Sequence, residues 1–309
     1  MTADAVSGLE PADILYVSPH LDDVALSCGG RVLADREAGR RVLVVSLFTE
    51  PAHGRRKEER KALAVLDATG FDGRLIDAPD RDPAYRRFAA ILFARNPQDA
   101  EVAAETAELL VRILEQVQPK EIVGPLGVGG HVDHRNCHQA TRDAARRTGT
   151  AASFYDDRPY SFVDESVRLR LAELAVSPGD DLPARSWPSS AWRYVRGLLR
   201  ARFARAMVGP RDLPLTLRAT WALVASLRRQ QRETARAEVH RFEPDVLPRL
   251  RESVACYRSQ VGPLFGHLDR WAEQTAEAAA ELGVTEGHAE RYWRFADDAE
   301  SENRGEPGA

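Results

Sequence analysis

Short β-rich runs alternate with helical stretches through the first half of the chain, and that alternation restricts the fold to a parallel α/β sheet faced by helices. The first run covers residues 13–18 and the second 41–48; a weaker one lies at 73–76, a fourth at 121–125 and a fifth at Phe154-Tyr155. Helical spacing is read at 26–38, at 57–68 and from about 100 to 117, where Pro119 lies just beyond the end. In the doubly wound order 3-2-1-4-5 the first and fourth strands are neighbours. Their carboxyl ends then flank the crevice in which open α/β sheets bind ligands.

Two polar motifs follow those two strands. Pro19-His20-Leu21-Asp22-Asp23 comes directly after Ile14-Leu15-Tyr16-Val17, and Gly127-Val128-Gly129-Gly130-His131-Val132-Asp133-His134 comes after Ile122-Val123-Gly124-Pro125-Leu126. His20, Asp23 and His134 supply two imidazoles and a carboxylate, the donor set of a catalytic zinc site that keeps one position open. Asp22 and His131 remain beside them as a base and an acid, the two further parts a hydrolase needs. Plainer readings stand alongside. Asp22 or Asp23 can cap the following helix, and His138 or Cys137 is a rival ligand one turn beyond His134, although the zincin glutamate is missing between the histidines.

The rest of the chain sets limits. Forty-three basic and 47 acidic residues leave a formal net charge of -4, which gives no global attraction to nucleic acid or to an anionic membrane and leaves local patches to be judged separately. Cys28, Cys137 and Cys256 have no paired spacing, so a disulfide framework is not expected and a cytoplasmic location is. Residues 1–10 lack the pattern of a secretory signal, and no apolar run reaches the length of a transmembrane segment. After Pro159 the composition turns helical and arginine-rich, with 12 arginines against four acids between 181 and 240 and with Trp187, Trp192 and Trp221 among them. The expected organisation is a Rossmann-like α/β metal-site core over 1–165, a helical insertion over 166–245, and C-terminal helices over 246–309 with a disordered tail from about 297.

The motifs resemble those of the PIG-L/LmbE-like zinc-dependent N-deacetylases. The resemblance rests on His20 to Asp23 with Ser27-Cys28-Gly29-Gly30 downstream, and on Gly130 to His134. Further echoes run through Arg55-Arg56-Lys57-Glu58, Tyr155 to Tyr160, Cys256 to Gln260 and Glu290 to Trp293. It implies one Zn2+ per chain on His20, Asp23 and His134, with Fe2+ as the other ion such a site takes. It also implies Asp22 as general base, His131 as general acid, Asp133 orienting His131, and Ser27 and Arg55 touching substrate, with Arg56 as an alternative to Arg55. The implied reaction removes an N-acetyl or similar N-acyl group from an amino sugar or conjugate. Some members carry a tyrosine two residues before the acid histidine, where this chain has Gly129. A non-haem iron oxygenase using the same ligand trio and a non-catalytic binding module are the competing functions, and a homo-oligomer stays open.

Overall fold

The computed structural model describes residues 4–52, 54–202, 204 and 210–296. Eight strands form one sheet in the order β3-β2-β1-β4-β5-β8-β7-β6. They are β1 (Ile14–Ser18), β2 (Val42–Glu50), β3 (Thr69–Ile76), β4 (Glu121–Pro125), β5 (Ala151–Tyr155), β6 (Val176–Ser177), β7 (Glu233–Phe242) and β8 (His288–Phe295). The first five are parallel, and β8 runs antiparallel to both β5 and β7. The expected 3-2-1-4-5 order is therefore present as one part of a wider sheet.

Alternation along the strands explains why both faces are covered. In β1, Leu15 and Val17 join one apolar cluster while Ile14 and Tyr16 join the other. In β2, Leu43, Val45 and Leu47 pack on the first side and Val42 and Val44 on the second. Such strands read as unbroken apolar runs because each face meets helices. Asp99–Val117 and Val132–Thr148 cover the first face; Asp23–Glu37, Arg55–Leu66 and Val246–Ala255 cover the second.

The C-terminal half departs from the expected organisation. The stretch read as a helical insertion over 166–245 does contain helices Ser166–Glu173, Trp187–Arg200 and Leu213–Ser226. It also contains β6 and β7, and the final segment read as helical supplies β8 beside β5. Glu233-Thr-Ala-Arg-Ala-Glu-Val-His-Arg-Phe carries mostly charged and small residues, so its strand character comes from pairing, with β8 over Ala235–Phe242 and with β6 at Glu233 and Thr234. The expected tail from about 297 lies outside the described residues.

β8 also closes the first helix. Asp23–Glu37 is broken at Cys28, whose φ of -140° interrupts the helical ladder. The N–H groups of Gly30 and Arg31, at the start of the second segment, donate to the two carboxylate oxygens of Glu290 at 2.7 and 3.0 Å. A buried carboxylate here does what a capping side chain does at a free helix start. Gly30 is required beneath it, because a Cβ there would lie 2.8 Å from Glu290 Oε1.

Candidate active site

β1 and β4 pair directly and in parallel, so the loops after Ser18 and Pro125 leave the sheet side by side. The first loop is held internally. The Ser18 hydroxyl donates to the His20 carbonyl (2.5 Å) and accepts the Val24 N–H (3.2 Å), while the His20 N–H donates to Asp23 Oδ2 (2.8 Å). Asp22 sits at the N-cap position of Asp23–Glu37, yet its side chain makes no capping hydrogen bond. The second loop passes through Val128–Gly130, with φ near +80° at Gly127, Gly129 and Gly130, and hands His131 to the start of the helix Val132–Thr148.

Three imidazoles meet there. The His20 ring centroid lies 4.9 Å from that of His131 and 5.3 Å from that of His134, and the last two are 5.1 Å apart. Asp23 Oδ2 stands 3.2 Å from His20 Nδ1 and 3.4 Å from His134 Nε2. Donor atoms of His20, Asp23 and His134 all lie within 4.8 Å of one another, as do those of a second group, His20, Asp77, His131 and Asp133. The first group fits a metal better. In the second, Arg81 lies 2.7 Å from Asp133 and Arg55 lies 3.7 Å from Asp77, so each carboxylate already faces a cation. Two histidines and an aspartate with no arginine against them match the donor chemistry of zinc or ferrous iron.

The electrostatics follow from packing many charges out of water. Burial together with the neighbouring Asp23 pushes Asp22 up to about 6, against the opposing pull of Arg55 and His20. Burial works against charge on His20 as well, but Asp77, Asp133 and Asp23 outweigh it and raise its pKa well above the usual imidazole value. His131 moves the other way. Burial lowers it, and the adjacent His20 and His134 lower it further. Its Nδ1 accepts the Asp133 backbone N–H at 3.2 Å, which leaves Nε2 as the nitrogen that carries a proton.

Asp133 thus reaches His131 through its backbone. Its carboxylate instead accepts from Arg81 and from the Ala78 N–H (3.0 Å) and lies 3.4 Å from His20 Nε2. Ser27, expected at the substrate, is buried, and its hydroxyl accepts the Arg158 N–H at 3.0 Å. Arg55 stands beside Asp77 at the site, whereas Arg56 turns away to Asp72 and Glu50. His138 is occupied elsewhere, with Nδ1 3.0 Å from the Pro125 carbonyl and its ring against Phe154 and Phe295. Neither His138 nor Cys137 belongs to a potential metal-holding group among the described residues.

Two acidic residues were not anticipated. Asp157 lies 2.7 Å from His134 Nδ1 and also accepts the N–H groups of Gly127 and Val128 at 2.8 and 2.9 Å. It therefore orients one imidazole and holds the turn that precedes the other. Asp77 closes the opposite side at the end of β3. Asp157 lies in Tyr155-Asp-Asp-Arg-Pro-Tyr160, and the signal available was a pair of acids directly after the fifth strand. The place a side chain at 129 would take is filled by Tyr160: a Cβ there would lie 2.4 Å from its Cγ.

Comparison with known proteins agrees with this arrangement. Residues 15–145 match the family described as PIG-L, GlcNAc-PI de-N-acetylase. The matched stretch is less than half of the chain. It holds both motifs, while Asp157 lies beyond the matched residues. The chain is 30% identical over 175 residues to 2'-N-acetylparomamine deacetylase of Streptomyces fradiae, covering 50% of this chain and 59% of that protein. It is 28% identical over 221 residues to 1D-myo-inositol 2-acetamido-2-deoxy-alpha-D-glucopyranoside deacetylase 2 of Catenulispora acidiphila, covering 64% and 67%. The chain thus spans little more than half the length of the first relative. Teicoplanin deacetylase Orf2, solved in a zinc-inhibited form, shares this fold with a TM-score of 0.62 at 19% identity, over 92% of this chain and 97% of that one. The A40926 pseudoaglycone deacetylase Dbv21 does so with 0.59 at 20% identity, over 93% and 98%.

Proposed function

We propose that the chain is a metal-dependent N-deacetylase that removes an acetyl or similar acyl group from the nitrogen of an amino sugar or amino-sugar conjugate. The observation that carries this reading is the convergence of His20, Asp23 and His134 with Asp22 and His131 beside them. The named activities of the two curated relatives support the substrate class.

His20, Asp23 and His134 hold the ion, zinc by preference, and its chemistry when bound is to polarise the amide carbonyl and acidify water. Asp22 takes the proton from the attacking water. Its elevated pKa makes it a stronger base than an ordinary carboxylate, while Arg55 and His20 keep enough of it ionised to act. His131 offers its Nε2–H as a neutral donor to the oxyanion and, as general acid, relays to the leaving nitrogen the proton that Asp22 took from water. The surroundings that disfavour charge on His131 make that proton easy to give up. Asp157 keeps Nε2 of His134 turned to the metal position by occupying Nδ1. Arg55 and Asp77, paired at the edge of the site, meet sugar hydroxyls in this reading.

The test is acetate release from a panel of N-acetylglucosaminides and other N-acetylated sugars by zinc-loaded protein, with a chelated sample alongside. Chelator-sensitive release supports the reading. Stoichiometric metal binding without release from any of the panel would overturn the proposed substrate class, and failure to bind metal would overturn the ligand set.

A further inference from the structure

The helices Trp187–Arg200 and Leu213–Ser226 form an antiparallel pair, as shown by Arg228, just past the end of the second, lying over the ring of Trp187 at the start of the first. Their inner faces bury Tyr194 and Val224 in a small apolar cluster with Val163 and Leu169. Their outer faces are unusual. Trp192 is 61% exposed and Leu199 69% on the first helix, and Leu217 is 61% and Trp221 70% on the second. Trp192, Val195 and Leu199 share one stripe at helical spacing, and Leu213, Leu217 and Trp221 share another. Scattered exposed apolar residues need no explanation, but an exposed apolar stripe on each of two adjacent helices marks an interaction surface.

Charge identifies the partner. Residues 185–232 contain eleven arginines, no lysine and a single acid, Asp212, which pairs with Arg87 at 3.2 Å. Arg196 lies over the Trp192 ring, and Arg196, Arg200 and Arg218 are exposed beside the stripes. Two copies of such a face repel each other, so self-association is disfavoured. An acidic protein would match the arginines but would leave the tryptophans to find pockets. A lipid bilayer with anionic headgroups meets both, because tryptophan and leucine enter the boundary of the acyl region while arginines stay with the phosphates. The net charge of -4 on the whole chain then turns the remaining surface away from the bilayer.

We propose that this helical pair docks the protein on anionic phospholipid surfaces, with Trp192, Leu199, Leu217 and Trp221 inserted and the flanking arginines on the headgroups. The full chain is floated with vesicles of phosphatidylcholine alone and of phosphatidylcholine mixed with phosphatidylglycerol. Flotation with the mixed vesicles only, reduced by high salt, is the expected result. The double variant Trp192→Ala/Trp221→Ala and the charge variant Arg196→Glu/Arg218→Glu are each expected to lose about tenfold or more in partitioning, since each basic residue near such a surface contributes on the order of 1 kcal/mol. All four positions are exposed, so unchanged circular dichroism and melting temperature verify that each variant is folded. Failure to float with either vesicle, or equal flotation of parent and variants, would overturn the proposal. So would a dimer in sedimentation velocity that the tryptophan variant dissociates, because the face would then belong to a second copy.

Discussion

Asp157 Oδ1 lies 2.7 Å from Nδ1 of His134, while its other oxygen accepts two backbone N–H groups of the turn that leads to His131. One carboxylate thereby sets the direction of the proposed ligand and the position of the proposed acid. Asp157→Asn retains the shape but loses the charge that makes His134 a strong donor. Metal affinity should fall about 10- to 100-fold, measured by competition with a chromophoric chelator.

Asp22 stands between two proposed ligands, His20 and Asp23, without capping its helix. Asp22→Asn should therefore keep its metal, by elemental analysis, and lose about 10²- to 10⁴-fold in kcat. Turnover close to the parent's would remove Asp22 from the role of base.

Gly129 combines a φ of +81° with a Cβ position 2.4 Å from Tyr160 Cγ. Gly129→Ala meets both a backbone penalty and an aromatic ring fixed against His134. It should lower stability by more than about 1 kcal/mol, seen in the urea midpoint, and should lower kcat because His131 follows two residues later. A variant as stable and as active as the parent would show that the turn tolerates a side chain.

Glu59 is buried between the hydroxyls of Ser46 and Tyr257, and burial is the main reason its pKa rises to about 8. The folded state then holds a proton that the unfolded chain releases near the ordinary glutamate value of about 4.3. This stabilisation is complete below that value and is lost as pH rises toward 8, with a slope of at most about 1.4 kcal/mol per pH unit. Glu59→Gln keeps a neutral side chain of the same shape, so its stability should lack this decline. Parallel stability curves for parent and variant between pH 5 and 8 would exclude the assignment.

Much of this architecture was legible from β1 and β4, because strands covered on both faces leave continuous apolar runs and the motifs after them break those runs with charge. His20, Asp22, Asp23, His131 and His134 could be named for that reason. β7 could not, since Ala235, Ala237 and Val239 form a thin apolar face among arginine and glutamate, and only its pairing with β8 shows it to be a strand. Asp157 and Asp77 were missed on different grounds. Their function lies in what they face across the fold, and an aspartate after a strand has the same local appearance whether it points to water or to an imidazole. Ser27 illustrates the reverse case, a hydroxyl close to a motif in sequence whose partner, the Arg158 N–H, is 131 residues away.

The contact between Gly30 and Glu290 spans 260 positions. Every expected metal ligand lies within residues 20–134, yet the broken helix that begins at Asp23 is completed only by Glu290 of β8. Long-range closure of this kind slows folding: the segment 15–145 contains the proposed ligands but not the Glu290 carboxylate that completes that helix. Without β8, the helix that starts at Asp23 would lack the carboxylate that meets Gly30 and Arg31, while His20 and His134 sit on the neighbouring loop and helix.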